Sequence, residues 1–230
     1  MNEQQLPDLL LTGVTGGAGG RYNKVSLDGV CKVNGAVSAR TIQGNGMITF
    51  EGDVVSEELQ ANGKIKINGG LQTEQMGIEG LVAINRNLRG ESCCLNGMLN
   101  VNGNCELEEL KGEGVFEVKG LLSAGHVNFT LQGQARAGEI GAGSLIIRRV
   151  DMDGRLWNKL ASSFIPKLKP ELIAKMIEGD VLDLEYTNAE VVSGGVVKIG
   201  PGCNIGRVEY LSELTVHPDA TVGKVEKYGE

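Results

Sequence analysis

Six glycines stand seventeen residues apart, at Gly29, Gly46, Gly63, Gly80, Gly97 and Gly114. A second column trails the first by six residues, at Gly35, Gly52, Gly69, Gly103 and Gly120, and is broken once by Arg86. A fixed period of this length is the signature of a repeat architecture, in which each repeat buries its apolar face only against its neighbours. A stack of near-identical rungs has two ends and no preferred place along its length for an active site.

Residues 24 to 125, written as six rows of seventeen, align further columns. Val33, Phe50, Ile67, Ile84, Val101 and Val118 form the cleanest, and Cys31, Ile48, Ile65, Val82, Leu99 and Phe116 run two residues ahead of it. Val25, Ile42, Leu59, Met76, Cys93 and Leu110 fall together, as do Val37, Val54, Leu71, Leu88, Cys105 and Leu122. Leu27, Ala61, Ile78 and Leu95 share a column with Gly44 and Gly112. Within a row the apolar residues pair two apart, as Ile65 and Ile67 do, which is the period of a strand with one face buried. The pairs recur every five or six residues, so a row holds three short strands and three corners. The corners carry Asn62-Gly63, Asn68-Gly69, Asn96-Gly97 and Asn102-Gly103, residues that tolerate left-handed backbone. The fold class is therefore all-β, a three-sided parallel β-helix with one row per turn. Asn-Gly also marks hairpins, but a meander of hairpins has no reason to hold one register for six copies. Each column would stack about 4.8 Å apart, and stability would grow by nearest-neighbour contacts.

Composition agrees with a core of small and aliphatic side chains. Aromatics make up 4 % of the chain, against 35 glycines in 230 residues. The net charge of −7, from 22 basic and 29 acidic residues, argues against a nucleic-acid surface, whose footprint is a basic stripe. The five cysteines, Cys31, Cys93, Cys94, Cys105 and Cys203, have no framework spacing. They are expected to be reduced and buried in a cytosolic protein. The opening MNEQQLPDLLL lacks the basic region of a secretory signal, and no stretch reaches eighteen apolar residues, the length a spanning helix needs.

The beat falters after Phe116. Phe129, Leu131, Gly133, Ala135 and Ala137 suggest a rung shortened by a few residues, and Ile140 with Ser144 to Val150 one more. Between 154 and 178, Trp157, Leu160, Ala161, Phe164 and Ile165 are spaced for one helix face. Pro170 would open a second short helix reaching Met176 or Ile177. The period then returns: Ile199 to Val208 aligns with Val216 to Val225, and Leu182 and Val191 stand seventeen residues before Ile199 and Val208. The organisation expected is a flexible N-terminal tail over 1–23, rungs over 24–150, a helical insertion over 151–180 and further rungs over 181–230.

Candidate sites are weighed and set aside. The stretch TGVTGGAGG, Thr12 to Gly20, lacks the lysine of a phosphate loop and the strand-helix context, and reads as a flexible linker. His126 and His217 are the only histidines. The strict hexapeptide of acyltransferase coils is missing, and both read as solvated corner residues. No column keeps aspartate or arginine across successive rungs, as a polysaccharide-cleaving face would. The expectation is no enzyme, with no catalytic, cofactor-binding or metal residues and no cofactor.

A β-helix ends in unpaired backbone N–H and C=O groups over an apolar layer, which templates another chain unless capped. The chain resembles the bactofilins, polymer-forming cytoskeletal proteins. The resemblance rests on rungs such as Val33-Asn-Gly-Ala-Val37, Phe50-Glu-Gly-Asp-Val54 and Ile67-Asn-Gly-Gly-Leu71, and covers residues 24 to about 145 and 181 to 228. It implies a right-handed β-helix assembling end to end into non-polar, nucleotide-free filaments. By this resemblance the protein would be a bacterial cytoplasmic scaffold, also found at the membrane, serving cell shape, motility or flagellum assembly. The partners expected are a second copy at the helix ends, and a protein or membrane surface met by the helical insertion or the N-terminal tail. Two alternatives stay open: a monomeric adaptor binding a partner through residues 154–178, and a β-helix enzyme acting on carbohydrate.

Overall fold

The computed structural model describes residues 6–150 and 169–228. Ten strands follow one another: β1 (Leu9–Phe50), β2 (Val54–Ile67), β3 (Leu71–Ile84), β4 (Leu88–Val101), β5 (Cys105–Leu131), β6 (Gln134–Arg149), β7 (Glu171–Leu184), β8 (Thr187–Ile199), β9 (Asn204–Val216) and β10 (Thr221–Lys227). Each pairs in parallel with the next, in one sheet whose spatial order is the chain order. Parallel neighbours ordinarily need a crossover helix. Here the chain coils instead, and among the described residues no helix occurs. The molecule is a parallel β-solenoid of about ten turns.

The seventeen-residue register holds from β1 to β5, as Val37↔Val54, Val54↔Leu71, Leu71↔Leu88 and Leu88↔Cys105. Each turn sends three pairs of side chains inward; the turn beginning at Val54 buries Val54 and Ser56, Leu59 and Ala61, then Ile65 and Ile67. The columns read from sequence are the core, and burial of each branched side chain in them contributes about 1.5–3 kcal/mol.

One inward column departs from the apolar rule. Ser56 donates to Thr73 Oγ1 at 2.9 Å, and Thr73 reaches the carbonyls of Glu57 and Gln75 at 3.4 and 3.2 Å. The hydroxyls satisfy one another and the backbone, so burying them leaves no orphan polar atom. Volume is traded between adjacent columns where the aromatics enter. Phe129 meets Phe116 edge-on, with ring centroids 5.2 Å apart and planes at 71°. The next turn sets small Ala135 and Ala137 in the buried interior. Large against small keeps packing density constant.

The two glycine columns have different causes. In the first, all six glycines have φ between 104° and 138°, a conformation L side chains rarely adopt. In the second, Gly35 alone has such a φ, at 92°, whereas Gly69, Gly103 and Gly120 do not but stand hard against the side-chain oxygens of Asp53, Asn87 and Asn104. Those oxygens accept backbone N–H groups one turn on, from Gly70 at 2.8 Å, Asn104 at 3.0 Å and Leu121 at 3.1 Å. Beside them Asn102, Asn85 and Asn68 form a ladder of amides, each donating to the residue seventeen before it and ending on Glu51.

Several expectations are corrected. Residues 9–22 are not a flexible tail but the first turn of the coil. Asn23 N donates to Pro7 O at 2.9 Å, and Asp8 Oδ1 accepts from Asn23 Nδ2 and Lys24 N, both at 3.1 Å. Leu9 and Leu11 pack against the core, and Gly19 has no room for a Cβ beneath Ala36. The glycines there serve close approach rather than flexibility.

The turn after Phe116 is longer, not shorter: Val118 pairs with Ala137, nineteen residues on, and Leu122 with Ile140, eighteen on. The second short helix from Pro170 is absent. Glu171–Leu184 is β7, and Leu172, Ala174 and Ile177 are buried at the inward positions. The sheet edge offered by β6 overrides a local pattern that fits a helix equally well. The coil therefore resumes ten residues before 181. The expected helix over Trp157 to Ile165 lies outside the described residues. After the return, turns are shorter than seventeen. Leu182 pairs with Val197 and Leu184 with Ile199, fifteen residues on, and Val192 pairs with Val208, sixteen on. Past a register shift between Gly194 and Val196 the spacing is seventeen again, as Val197↔Leu214, Ile199↔Val216, Ile205↔Val222 and Val208↔Val225, the alignment read from the sequence.

The chain leaves and re-enters at one corner. Val150 N reaches Leu131 O, and Glu171 N reaches Gly133 O, both at 3.3 Å. Across that break Arg148 binds Asp183 through two nitrogens, at 3.0 and 2.6 Å, and Arg149 lies 3.6 Å over the Tyr186 ring. Burial alone would raise the Asp183 carboxyl, but hydrogen bonds from Arg148 and Lys198 outweigh it and hold it below the usual range.

Candidate assembly surfaces

The inward columns show where the solenoid is open. In the interior Ile199 and Val208 are 0 % exposed, whereas their partners one turn later, Val216 and Val225, are 41 % and 49 % exposed. Leu214, Ala220 and Val222 complete that final layer, half-buried on the core. The outer edge of β10 carries backbone groups with no strand beyond them among the described residues. Tyr228 folds back beside this end, its hydroxyl bonded to Glu209 and, at 3.1 Å, to Ser193.

The opposite end is built differently. Leu9 and Leu11 lie across the first turn toward Gly17, where a Cβ would sit 3.0 Å from a Leu11 methyl. Glycine there gives the leucines space to turn inward. Leu10 and Val14 point out to the side, 73 % and 87 % exposed.

Along the flank, Glu57, Glu74, Glu91 and Glu108 recur at seventeen residues on one corner. Glu57, Glu74 and Glu91 line a shallow groove of about 580 Å³ together with Ser38, Gln72 and Arg89. This glutamate column is legible in the sequence with the same ruler as the glycines, but a search confined to aspartate and arginine passes over it. Arg40 approaches Glu57 at 3.6 Å and Arg89 holds Glu106 at 2.9 Å. On another corner the Glu51 carboxyl is lowered by hydrogen bonds from Lys32 and then Asn68. These exposed pairs each contribute little.

The structure does not bring the histidines together. His126 lies in β5 opposite Ser144, and His217 sits on a corner after β9, accepting the Asp219 backbone N–H at Nδ1, 3.1 Å. Among the described residues no three His, Cys, Asp or Glu side chains group for a metal ion, and no helix is long and apolar enough to cross a membrane.

The cysteines are all unpaired, and Cys94, expected to be buried with the rest, is exposed. It alternates with Cys93 across the strand, so one faces in and the other out. Burial raises the Cys93 thiol strongly, with Cys105 and Cys94 adding to it, and burial raises Cys105 to about 12. A thiol raised on folding stays protonated in the native state while the unfolded chain ionises near pH 8.5. Its contribution is complete below that pH and is lost as pH rises toward the folded value. Urea unfolding in reducing buffer should therefore show stability falling above pH 9. For wild type relative to Cys93→Ala/Cys105→Ala, the extra slope should be about 1.4 kcal/mol per pH unit for each thiol removed. Parallel pH profiles for the two proteins would contradict this burial.

No protein-family model matches the chain, and no solved structure matches it. It is 35 % identical over 109 residues to uncharacterized protein YhbF of Bacillus subtilis (strain 168), a match covering 47 % of this chain and 42 % of the relative. It is 37 % identical over 107 residues to uncharacterized protein YhbE of the same organism, covering 46 % and 42 %. The match thus spans less than half of each relative.

Proposed function

We propose that this protein is a non-enzymatic structural scaffold that self-associates end to end through its solenoid. The observation that carries the reading is the final layer: two inward columns, fully buried one turn earlier, are 41 % and 49 % exposed at a strand edge with no further strand paired to it among the described residues. Such an edge templates a further strand, and continuing a parallel stack adds backbone hydrogen bonds and apolar contact in the way each internal turn already does. The polar columns on the flanks are engaged in hydrogen bonds from turn to turn, a use that holds the rod together.

The resemblance to bactofilins supports the same reading. It adds a right-handed, three-sided coil, a bacterial cytoplasmic or membrane-surface location, and a role in cell shape or motility. Electron microscopy and sedimentation velocity of the purified full chain test it. Rods or filaments, or concentration-dependent sedimentation, are expected. A single monomeric species across the whole concentration range would overturn it.

A further inference from the structure

One outward column of the coil is apolar. Leu81 pairs with Met98 and Met98 with Val115, and all three side chains are only half-buried on the outer surface. Lys64, paired with Leu81, ends the run on one side. On the other side Gly133 stands directly against it, since a Cβ there would meet a Val115 methyl at 2.9 Å. The carbonyl of Gly133 also accepts the Glu171 N–H, where the chain rejoins the coil. The apolar column therefore runs to the corner at which residues 151–168 leave and return.

We propose that this segment folds back on its own solenoid, with Trp157 and its apolar neighbours covering Val115, Met98 and Leu81. The reach suffices. Glu117 pairs with Arg136 and Arg136 with Ile173, so the turn of re-entry lies two steps beyond that of Val115 and four beyond that of Leu81. At ~4.8 Å per step these distances are ~10 and ~19 Å. The eighteen residues between Val150 and Lys169, doubled back, give two arms of nine, each ~13 Å long as helix and ~30 Å extended.

The chemistry of the two surfaces matches. Leu156, Trp157, Leu160, Phe164 and Ile165 gain by leaving water, and apolar area sets that driving force. From Gly154 to Leu168 the segment carries Arg155, Lys159 and Lys167 and no acid. Glu79 and Glu113 stand two residues before Leu81 and Val115, both exposed and without an ion pair among the described residues. Tethering favours this occupant over a second copy, because a short linker presents its segment at an effective concentration of ~mM.

The full chain supplies its own probe, since Trp157 is its only tryptophan. Acrylamide should quench it at least about threefold less than N-acetyltryptophanamide, with blue-shifted emission, as for a ring taken out of water. Met98→Glu, and independently Val115→Glu, set a carboxylate against the ring and should restore most of the quenching and shift the emission to the red. Val181→Glu, on another corner opposite Ser144, should change neither. Circular dichroism identifies the variants that fold. With the exposed thiol removed by Cys94→Ser, Met98→Cys and Leu160→Cys should be joined within one chain by a short flexible bis-maleimide. Cross-links between two chains would give the patch to a second copy and overturn the inference. So would a wild-type tryptophan as open as the free amide, or one protected only once anionic phospholipid vesicles are added, or folded glutamate variants quenched like wild type. None of these outcomes bears on end-to-end assembly.

Discussion

Phe116→Ala should lower the unfolding free energy by about 4 kcal/mol, the largest effect expected of any single core truncation. Truncating a buried phenylalanine typically costs ~3–5 kcal/mol through lost transfer energy and the cavity left behind. Phe116 is fully buried and its ring supports that of Phe129, an aromatic pair contributing a further ~0.5–1.5 kcal/mol. Collapse is restricted, because the backbone on either side of Phe116 is fixed in the ladder by its pairing with β4 and β6. Urea denaturation followed by circular dichroism measures the change. Phe116→Leu, which keeps most of the volume, should recover more than half of it. A loss under 1 kcal/mol for the alanine variant would mean that the solenoid interior relaxes as a fluid would.

Gly97→Val should cost about 3 kcal/mol or more. Holding a side chain at the φ of 138° found there contributes ~1–3 kcal/mol of backbone strain. The new Cβ would also fall on the carbonyl oxygen of Gly80, adding ~1–3 kcal/mol of overpacking. The matched control is Gly141→Val: no φ in the left-handed region is found there, and nothing lies within 4 Å of an added Cβ. That variant should stay within about 1 kcal/mol of wild type. The comparison isolates corner geometry from the general effect of replacing glycine in a strand. Equal losses at both positions would show that the glycine column is not read by the fold.

The regular half of the molecule was legible because one ruler applies to all of it. When Ile65, Val82 and Leu99 stand seventeen apart, each predicts the environment of the next, and the pairings Ile65↔Val82 and Val82↔Leu99 follow. Legibility failed where a turn changed length. Leu182 looks like the partner of Ile199 when seventeen is assumed, yet the turn is fifteen long and Leu184 takes that place. Sequence spacing cannot report a corner that has lost two residues, because an aliphatic strand offers Leu182 and Leu184 as equal candidates.

The stretch Leu172 to Ile177 fits a helix face or a strand face, and the open edge of β6 selects the strand. The first turn was missed for the opposite reason. Glycines between Gly13 and Gly20 imply mobility when no neighbour is known, and close approach once Ala36 is seen lying on Gly19. Of the candidate surface, the exposed strand edge was foreseeable from any β-helix.

What the sequence by itself determined is the coil: the seventeen-residue period dictates identical turns, the apolar columns dictate their interior, and left-handed glycines dictate one corner. These are local and repeating constraints, so they survive without coordinates. Only the tertiary structure decided how many residues each later turn contains, and that the chain before Val25 and after Lys169 belongs to the same stack. Those depend on what a segment finds beside it. In a solenoid every turn is templated by the edge of the previous one, and the energy of that match outweighs the weak preferences of an isolated stretch of chain.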